Sequence, residues 1–264
     1  MASLSAPVAL SIADGVASIR FQRPEVLNAI DVPTAIALRD AVFSATRDAA
    51  VRVIVLSGEG RAFVAGGDLA YFRDAGENAP QAAAKLIAPM HEAVEALAAA
   101  SQPVLASLHG AVAGAGMSLA MAADLAIAAD NAVFNLAYAK VAATPDCSAS
   151  WTLPRLVGLR AAMEIALLAD SLSATEALRL GLVNRVVPLD QLEDETAKLA
   201  RRLASAAPLA LAGIKRLLRD GLDRSLSEQL AAEQAAFVAG AATQDFREAL
   251  SAFFAKRKPV YHGR

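Results

Sequence analysis

Ala113-Gly114-Ala115-Gly116 stands after a strand-forming run, Pro103 to Leu108, and the pair His109-Gly110, and it leads into a helix-like stretch. An earlier segment has the same character: Ala65-Gly66-Gly67-Asp68 follows the apolar run Val51 to Leu56 and a loop through Phe63. Backbone free of side chains can turn its N–H groups toward a ligand oxygen. A helix N-terminus adds unsatisfied donors and partial positive charge. Two such segments can together hold one developing negative charge, which is what an oxyanion hole requires.

Outward from these breaks, strand and helix signals alternate. Val8 to Ile12 and Val16 to Phe21 flank Asp14-Gly15, a hairpin signal. Helical spacing follows over Ala35 to Ala45, with Pro33 near its start, and over Gln81 to Ala100. Gly58 to Gly67 reads as a polar loop, Met117 to Ala122 as a helix, and Leu125 to Ala128 and Ala132 to Phe134 as short strands. This repetition with short connections predicts a layered α/β architecture. From Ala161 onward six segments read as helices: 161–169, 174–180, 192–205, 209–220, 225–239 and 245–254. Val183 to Val187 is the one strand expected among them. A boundary is placed near Ala200, giving a core of residues 1–199 and a helical region of residues 200–264. That region is small and alanine-rich, so it is expected to pack on the core or on a neighbouring subunit.

The chain of 264 residues is 56% hydrophobic and 20% charged, enough apolar material for a large core. A net charge of −2 gives no electrostatic reason to expect nucleic acid or an anionic membrane. The single cysteine, Cys147, excludes an intrachain disulfide and fits a reducing, cytoplasmic setting. Met1 to Ala13 lacks the basic start and apolar core of a signal peptide. No stretch reaches the roughly 20 uninterrupted apolar residues of a membrane helix. No cluster of histidine, cysteine or carboxylates has metal-ligand spacing. Gly114-Ala115-Gly116 begins like a dinucleotide fingerprint, but Leu119 occupies the place of its last glycine and no suitable carboxylate follows, which argues against a nicotinamide cofactor.

Taken together, the segments resemble the crotonase, or enoyl-CoA hydratase/isomerase, superfamily over nearly the whole chain. Arg23-Pro24-Glu25 with Leu27-Asn28-Ala29 is similar to the family's early loop, and Phe63 to Leu69 to its first oxyanion segment. His109 to Gly116 with Leu119 to Asp124 is similar to the second. Leu153-Pro154-Arg155-Leu156-Val157-Gly158, Ala174 to Val187 and Phe254 to Pro259 complete the series. The resemblance implies a spiral of ββα units with a C-terminal helical trimerisation region, as a homotrimer or a dimer of trimers. It implies an acyl-CoA substrate, with coenzyme A entering only as part of the thioester and no separate cofactor. Gly67 and Ala115 would supply the two thioester-binding N–H groups. The adenine would lie near Ala65 to Leu69, and Arg23 with Lys256 or Lys258 near the phosphates. Asp68 by itself reads as the cap of the following helix.

The acid and base residues decide the chemistry in this family. The two glutamates of its hydratases would fall at Ser118 and Tyr138, neither of which is a carboxylate. A third position lies just after a proline, in Thr144-Pro145-Asp146-Cys147-Ser148. There Asp146 matches the single carboxylate of double-bond isomerases, with Tyr138 expected beside it at the substrate. One carboxylate suffices for an isomerase, because it can take a proton from C2 and return it at C4 of a dienolate. An apolar surround of Phe134, Tyr138, Val141 and Trp151 is expected for Asp146. Leu86, Met90, Val94 and Leu97 repeat at helical spacing and suit core or the wall of an acyl tunnel. His91 and His109 read as structural. The alternatives are a hydratase with another base and a non-catalytic acyl-CoA-binding protein.

Overall fold

A computed structural model describes residues 6–264, so the expectation for Met1 to Ala13 lies partly outside it. Asp14 and Gly15 both take positive φ (50° and 78°), as the tight hairpin turn requires. They join β1 (Val8–Ala13) antiparallel to β2 (Val16–Phe21). Asp31 starts α1 (Val32–Arg47) by accepting from the Thr34 N–H at 2.9 Å, with Pro33 in the first turn. Then come β3 (Val53–Gly58), β4 (Ala62–Val64), α2 (Leu69–Ala75) and α3 (Ala79–Ala99). The next repeat is β5 (Val104–Leu108), β6 (Ala111–Ala113) and α4 (Ala115–Ala122), followed by β7 (Leu125–Ala129) and β8 (Val133–Asn135).

Each repeat sends its first strand to one sheet and its second to another. The larger sheet runs β1-β2-β3-β5-β7 and ends on β10 (Arg185–Val187). The smaller runs β4-β6-β8 and ends on β9 (Leu172–Ser173). Strand β3 shows how the two faces divide. Ile54 and Leu56 enter the main core with α1, α3 and α4, while Val53 and Val55 face a second cluster. That cluster is closed by Leu192, Leu199, Ala200 and Ala204 of α8 (Leu192–Ala204). The fold is a mixed α/β spiral of ββα units with helices at its C-terminal end.

The remaining helices are α5 (Ala149–Val157), α6 (Leu159–Leu168), α7 (Ala174–Leu180), α9 (Pro208–Asp220), α10 (Leu226–Ala241) and α11 (Gln244–Phe254). Four elements differ from the sequence expectation. Strands β4 and β6 lie where loop and glycine break were read, and β9 is an added strand; at two or three residues none can show a period. Helix α5 carries Pro154 in its interior, which hid it from a periodic reading. Ala200 falls inside α8, and its side chain packs on the sheet, so the structural break comes after Ala204.

Helix α9 is tied to the core by charge. Its Lys215 Nζ reaches Asp124 at 2.9 Å and the carbonyls of Leu97 and Gln102 at 2.8 and 3.1 Å. Arg219 meets the other Asp124 oxygen at 2.7 Å. No helix among the described residues is long and apolar enough to cross a membrane.

Candidate active site

The two glycine breaks leave the C-terminal ends of adjacent parallel strands, β4 and β6. Gly66 (φ 105°) and Gly114 (φ 49°) then bring their backbones into contact. A Cβ on Gly66 would stand 3.3 Å from the Ala113 carbonyl oxygen, and one on Gly114 would stand 3.5 Å from Gly66 Cα. Gly116 is tighter still, since its Cβ would lie 2.1 Å from the Val64 carbonyl oxygen.

This contact sets the segment that carries Gly67 against the one that carries Ala115. Ile30 N–H donates to Gly66 O and Asp68 N–H to Ile30 O, both at 2.8 Å, so the N–H of Gly67 between them points the other way. Ala115 opens α4, where no intrahelical acceptor exists for its N–H. Among the described residues neither N–H is given to a protein acceptor. Asn28, wholly buried, holds the first segment: its amide donates to the carbonyls of Glu59, Ala62 and Phe63 at 2.8–3.0 Å.

Asp146 is held differently. The short turn Ala137–Val141 presents Tyr138, whose hydroxyl donates to Asp146 Oδ1. Tyr138 Oη also lies 3.1 Å from Ser118 Oγ, and Ser118 Oγ donates to Gly114 O at 3.2 Å. The carboxylate is thereby linked through two hydroxyls to the first turn of α4. Behind it, Cys147 and Ser148 take left-handed φ values of 50° and 68° without being glycine. The bonds that hold them there are Cys147 N–H to His91 Nε2 at 3.2 Å and Thr152 Oγ1 to Ser148 Oγ at 3.1 Å. Burial first, then the Asp146 charge, pushes the Tyr138 phenol far above its ordinary pKa. The same two causes raise the Cys147 thiol, so it is a buried, inert SH and no nucleophile.

Other sequence candidates are placed as follows. Arg23 donates to Ala29 O at 2.6 Å and pairs with Asp31 and Asp68 at 3.1 and 3.3 Å, so its charge is engaged within the fold. Asp68 caps α2 through Ala70 N–H at 3.1 Å, and Ala65 N–H donates to Leu27 O. Leu69 is exposed beside them. Lys258 is exposed in the C-terminal segment and forms no ion pair among the described residues. Leu86, Met90, Val94 and Leu97 are buried in the main core. Val141 and Trp151 do not enclose Asp146: both are exposed, and the Trp151 ring lies against the Arg155 guanidinium at 3.9 Å. His109 Nε2 contacts Gly60 O at 3.0 Å, a structural role. Ser118, Asn28 and His91 are the contributors that sequence reasoning passed over or set aside. Among the described residues no group of three or more histidine, cysteine or acidic residues could hold a metal.

Two glycine breaks packed against each other on a ββα spiral mark a class of protein, which its relatives identify. A family model for enoyl-CoA hydratase/isomerase matches residues 11–264. A Rhodobacter capsulatus protein named "Probable enoyl-CoA hydratase" is 38% identical, covering 96% of each chain. The 1,2-epoxyphenylacetyl-CoA isomerase of Escherichia coli is 35% identical over 95% of this chain and 96% of its own. A 4-chlorobenzoyl coenzyme A dehalogenase-2 of Arthrobacter is 35% identical over 92% and 88%. The crystal structure of an enoyl-CoA hydratase from Polaromonas superposes with a TM-score of 0.92 at 34% identity, over 97% of this chain and 99% of that one. The chain belongs to the enoyl-CoA hydratase/isomerase family of the crotonase superfamily. An acyl-CoA substrate is consistent with that membership.

Proposed function

We propose that this protein is an acyl-CoA double-bond isomerase in which Asp146 shuttles one proton. The observation that carries this is the hydrogen-bonded link from Asp146 through Tyr138 and Ser118 to α4, with hydroxyls where a hydratase would need two carboxylates. The N–H groups of Gly67 and Ala115 would receive the thioester oxygen as negative charge develops on it. Asp146 would take the C2 proton, leaving a dienolate, and return it at C4. The only coenzyme needed is the CoA of the substrate. Incubation with a 3-enoyl-CoA should give the 2-enoyl-CoA. Formation of 3-hydroxyacyl-CoA from a 2-enoyl-CoA would replace this reading with a hydratase, and tight binding without turnover would replace it with a carrier.

A second reading is favoured by one contact, that of His91 with the peptide joining Asp146 to Cys147. A carboxylate can serve as nucleophile and a nearby histidine as water-activating base, a role His91 could take only by releasing the Cys147 N–H that its Nε2 accepts here. Together with the dehalogenase relative, this supports testing 4-chlorobenzoyl-CoA, where chloride release would favour hydrolytic dehalogenation. On either reading, the exposed apolar residues of α9 to α11, such as Leu218, Phe253 and Phe254, suit burial between subunits of a trimer. Light scattering at micromolar concentration would give the subunit number.

A further inference from the structure

We infer that the larger sheet carries, on the face turned away from the main core, a binding site for a fatty acid, a carboxylate with an unbranched apolar chain. Strands β2, β3 and β5 are parallel to one another, and the strands of a covered parallel sheet are expected to be apolar on both faces. These three depart from that near their C-terminal ends. Arg20 pairs with Ser57 in register, and Leu56 pairs with Ala106, so Arg20, Ser57 and Ser107 form one polar row across the strands. Helix α8 runs back along this face. Its Thr196 Oγ1 meets Ser107 Oγ at 2.9 Å near the strand ends, and Arg52 Nη1 reaches Ala204 O at 3.3 Å by the start of β3. The helix covers the row incompletely and leaves a cleft of about 380 Å³, large enough for a small molecule.

The cleft is apolar at one end and polar at the other. Toward the strand starts it is lined by Val16, Val55, Ala197 and Ala200, of which Val55 and Ala200 are buried in the second cluster. Toward the strand ends stand Arg20, Ser57 and the Ser107–Thr196 pair. Arg20 is exposed and forms no ion pair or side-chain hydrogen bond among the described residues. Ser107 and Thr196 are each 7% exposed and share two hydroxyl protons over one contact, so one buried donor is left without a protein acceptor. A free guanidinium and a spare buried donor call for an oxyanion. Glu193 of α8 faces the same end, and His109 lies beside it with Nε2 on Gly60 O. The Glu193 charge repels an anion, so a head with one negative charge is held more readily than a phosphate with two. That selects a carboxylate. From Arg20 to Val16 is four residues of strand, about 13 Å, which gives the head and a medium-length chain room to lie along β2. Ile54 and Leu56 share the main core with Cys147 on the other face of β3, so this cleft and the Asp146 loop lie on opposite sides of the sheet.

Isothermal titration calorimetry on the full chain tests the site, with octanoate as the probe. Octanoate should bind, octanol should bind about tenfold more weakly or not at all, and inorganic phosphate should not compete. Arg20→Gln, at an exposed position, should weaken octanoate about tenfold. Ala197→Leu, which fills the apolar end, should weaken it by as much or more. Saturating octanoyl-CoA should leave octanoate binding intact. The site is overturned if octanoate fails to bind at millimolar concentration, keeps its affinity in either folded variant, or is displaced by octanoyl-CoA. Phosphate that competes as well as octanoate would overturn the fatty-acid assignment. If Ala197→Leu does not fold, Arg20→Gln decides alone. That comparison uses no CoA thioester, so it judges the cleft whatever reaction Asp146 proves to perform.

Discussion

The paired donors and the carboxylate loop are close neighbours held by opposite means. At Gly116 a Cβ would stand 2.1 Å from the Val64 carbonyl oxygen, so a side chain is excluded there, while Gly66 and Gly114 pack backbone to backbone at positive φ. Around Asp146, the chain is bent through left-handed residues that do have side chains; the Tyr138 and Thr152 hydroxyls donate to it and His91 accepts from it, which keeps it there. The first arrangement is part of the fold and changes only by breaking it. The second is an assembly of side chains, each replaceable on its own.

Substitutions can break this contrast in order of expected effect. Gly116→Ala forces a methyl group onto the Val64 carbonyl and should cost more than about 3 kcal/mol, seen as loss of folded protein by circular dichroism. A folded, active Gly116→Ala would show that the backbone contact is not needed. Asp146→Asn should keep the melting temperature within a few degrees yet lower kcat by roughly 10²–10⁴-fold. Near-normal activity in that variant would remove Asp146 from the chemistry. Ala142→Gly tests the left-handed turn, since Ala142 is exposed and has φ 56°. Its stability should stay level or rise by up to about 1 kcal/mol in denaturant unfolding, and a clear loss would mean the turn is not strained. The smallest effect at neutral pH concerns Tyr138. Its folded-state pKa lies above the ordinary 10, so its contribution to stability is full below pH 10 and falls as pH rises beyond it. Absorbance at alkaline pH should show one of the three tyrosines ionising only with unfolding. Three equivalent early titrations would contradict the buried phenol.

The same contrast explains what was legible in the sequence. Gly66, Gly114 and Gly116 announce themselves, because positive φ or close backbone contact calls for glycine there and their neighbours form strands and helices of readable period. Strands β4 and β6, which carry those breaks, were not legible at three residues each. Asp146 was visible beside Pro145, but its surroundings were misjudged. Apolar residues near it in sequence, Val141 and Trp151, turn outward, while its partner Ser118 comes from a helix 28 positions earlier. Asn28 was seen as a motif letter only. That its amide braces three carbonyls more than 30 residues away is a fact of tertiary structure.

The ion cluster at Asp124 has a consequence for how the chain is made. Asp124 accepts the Val104 N–H at the start of β5, but its cationic partners Lys215 and Arg219 come 91 and 95 residues later. On a ribosome the ββα repeats emerge first, and at 5–20 residues per second they wait several seconds for α9. During that interval the Asp124 carboxylate has the Val104 N–H at 2.8 Å as its partner from the core, while its two cationic partners and the ammonium donor of the Leu97 and Gln102 carbonyls are still missing. The charge of this partly buried carboxylate is thus matched only by residues made long after the strands and helices that surround it.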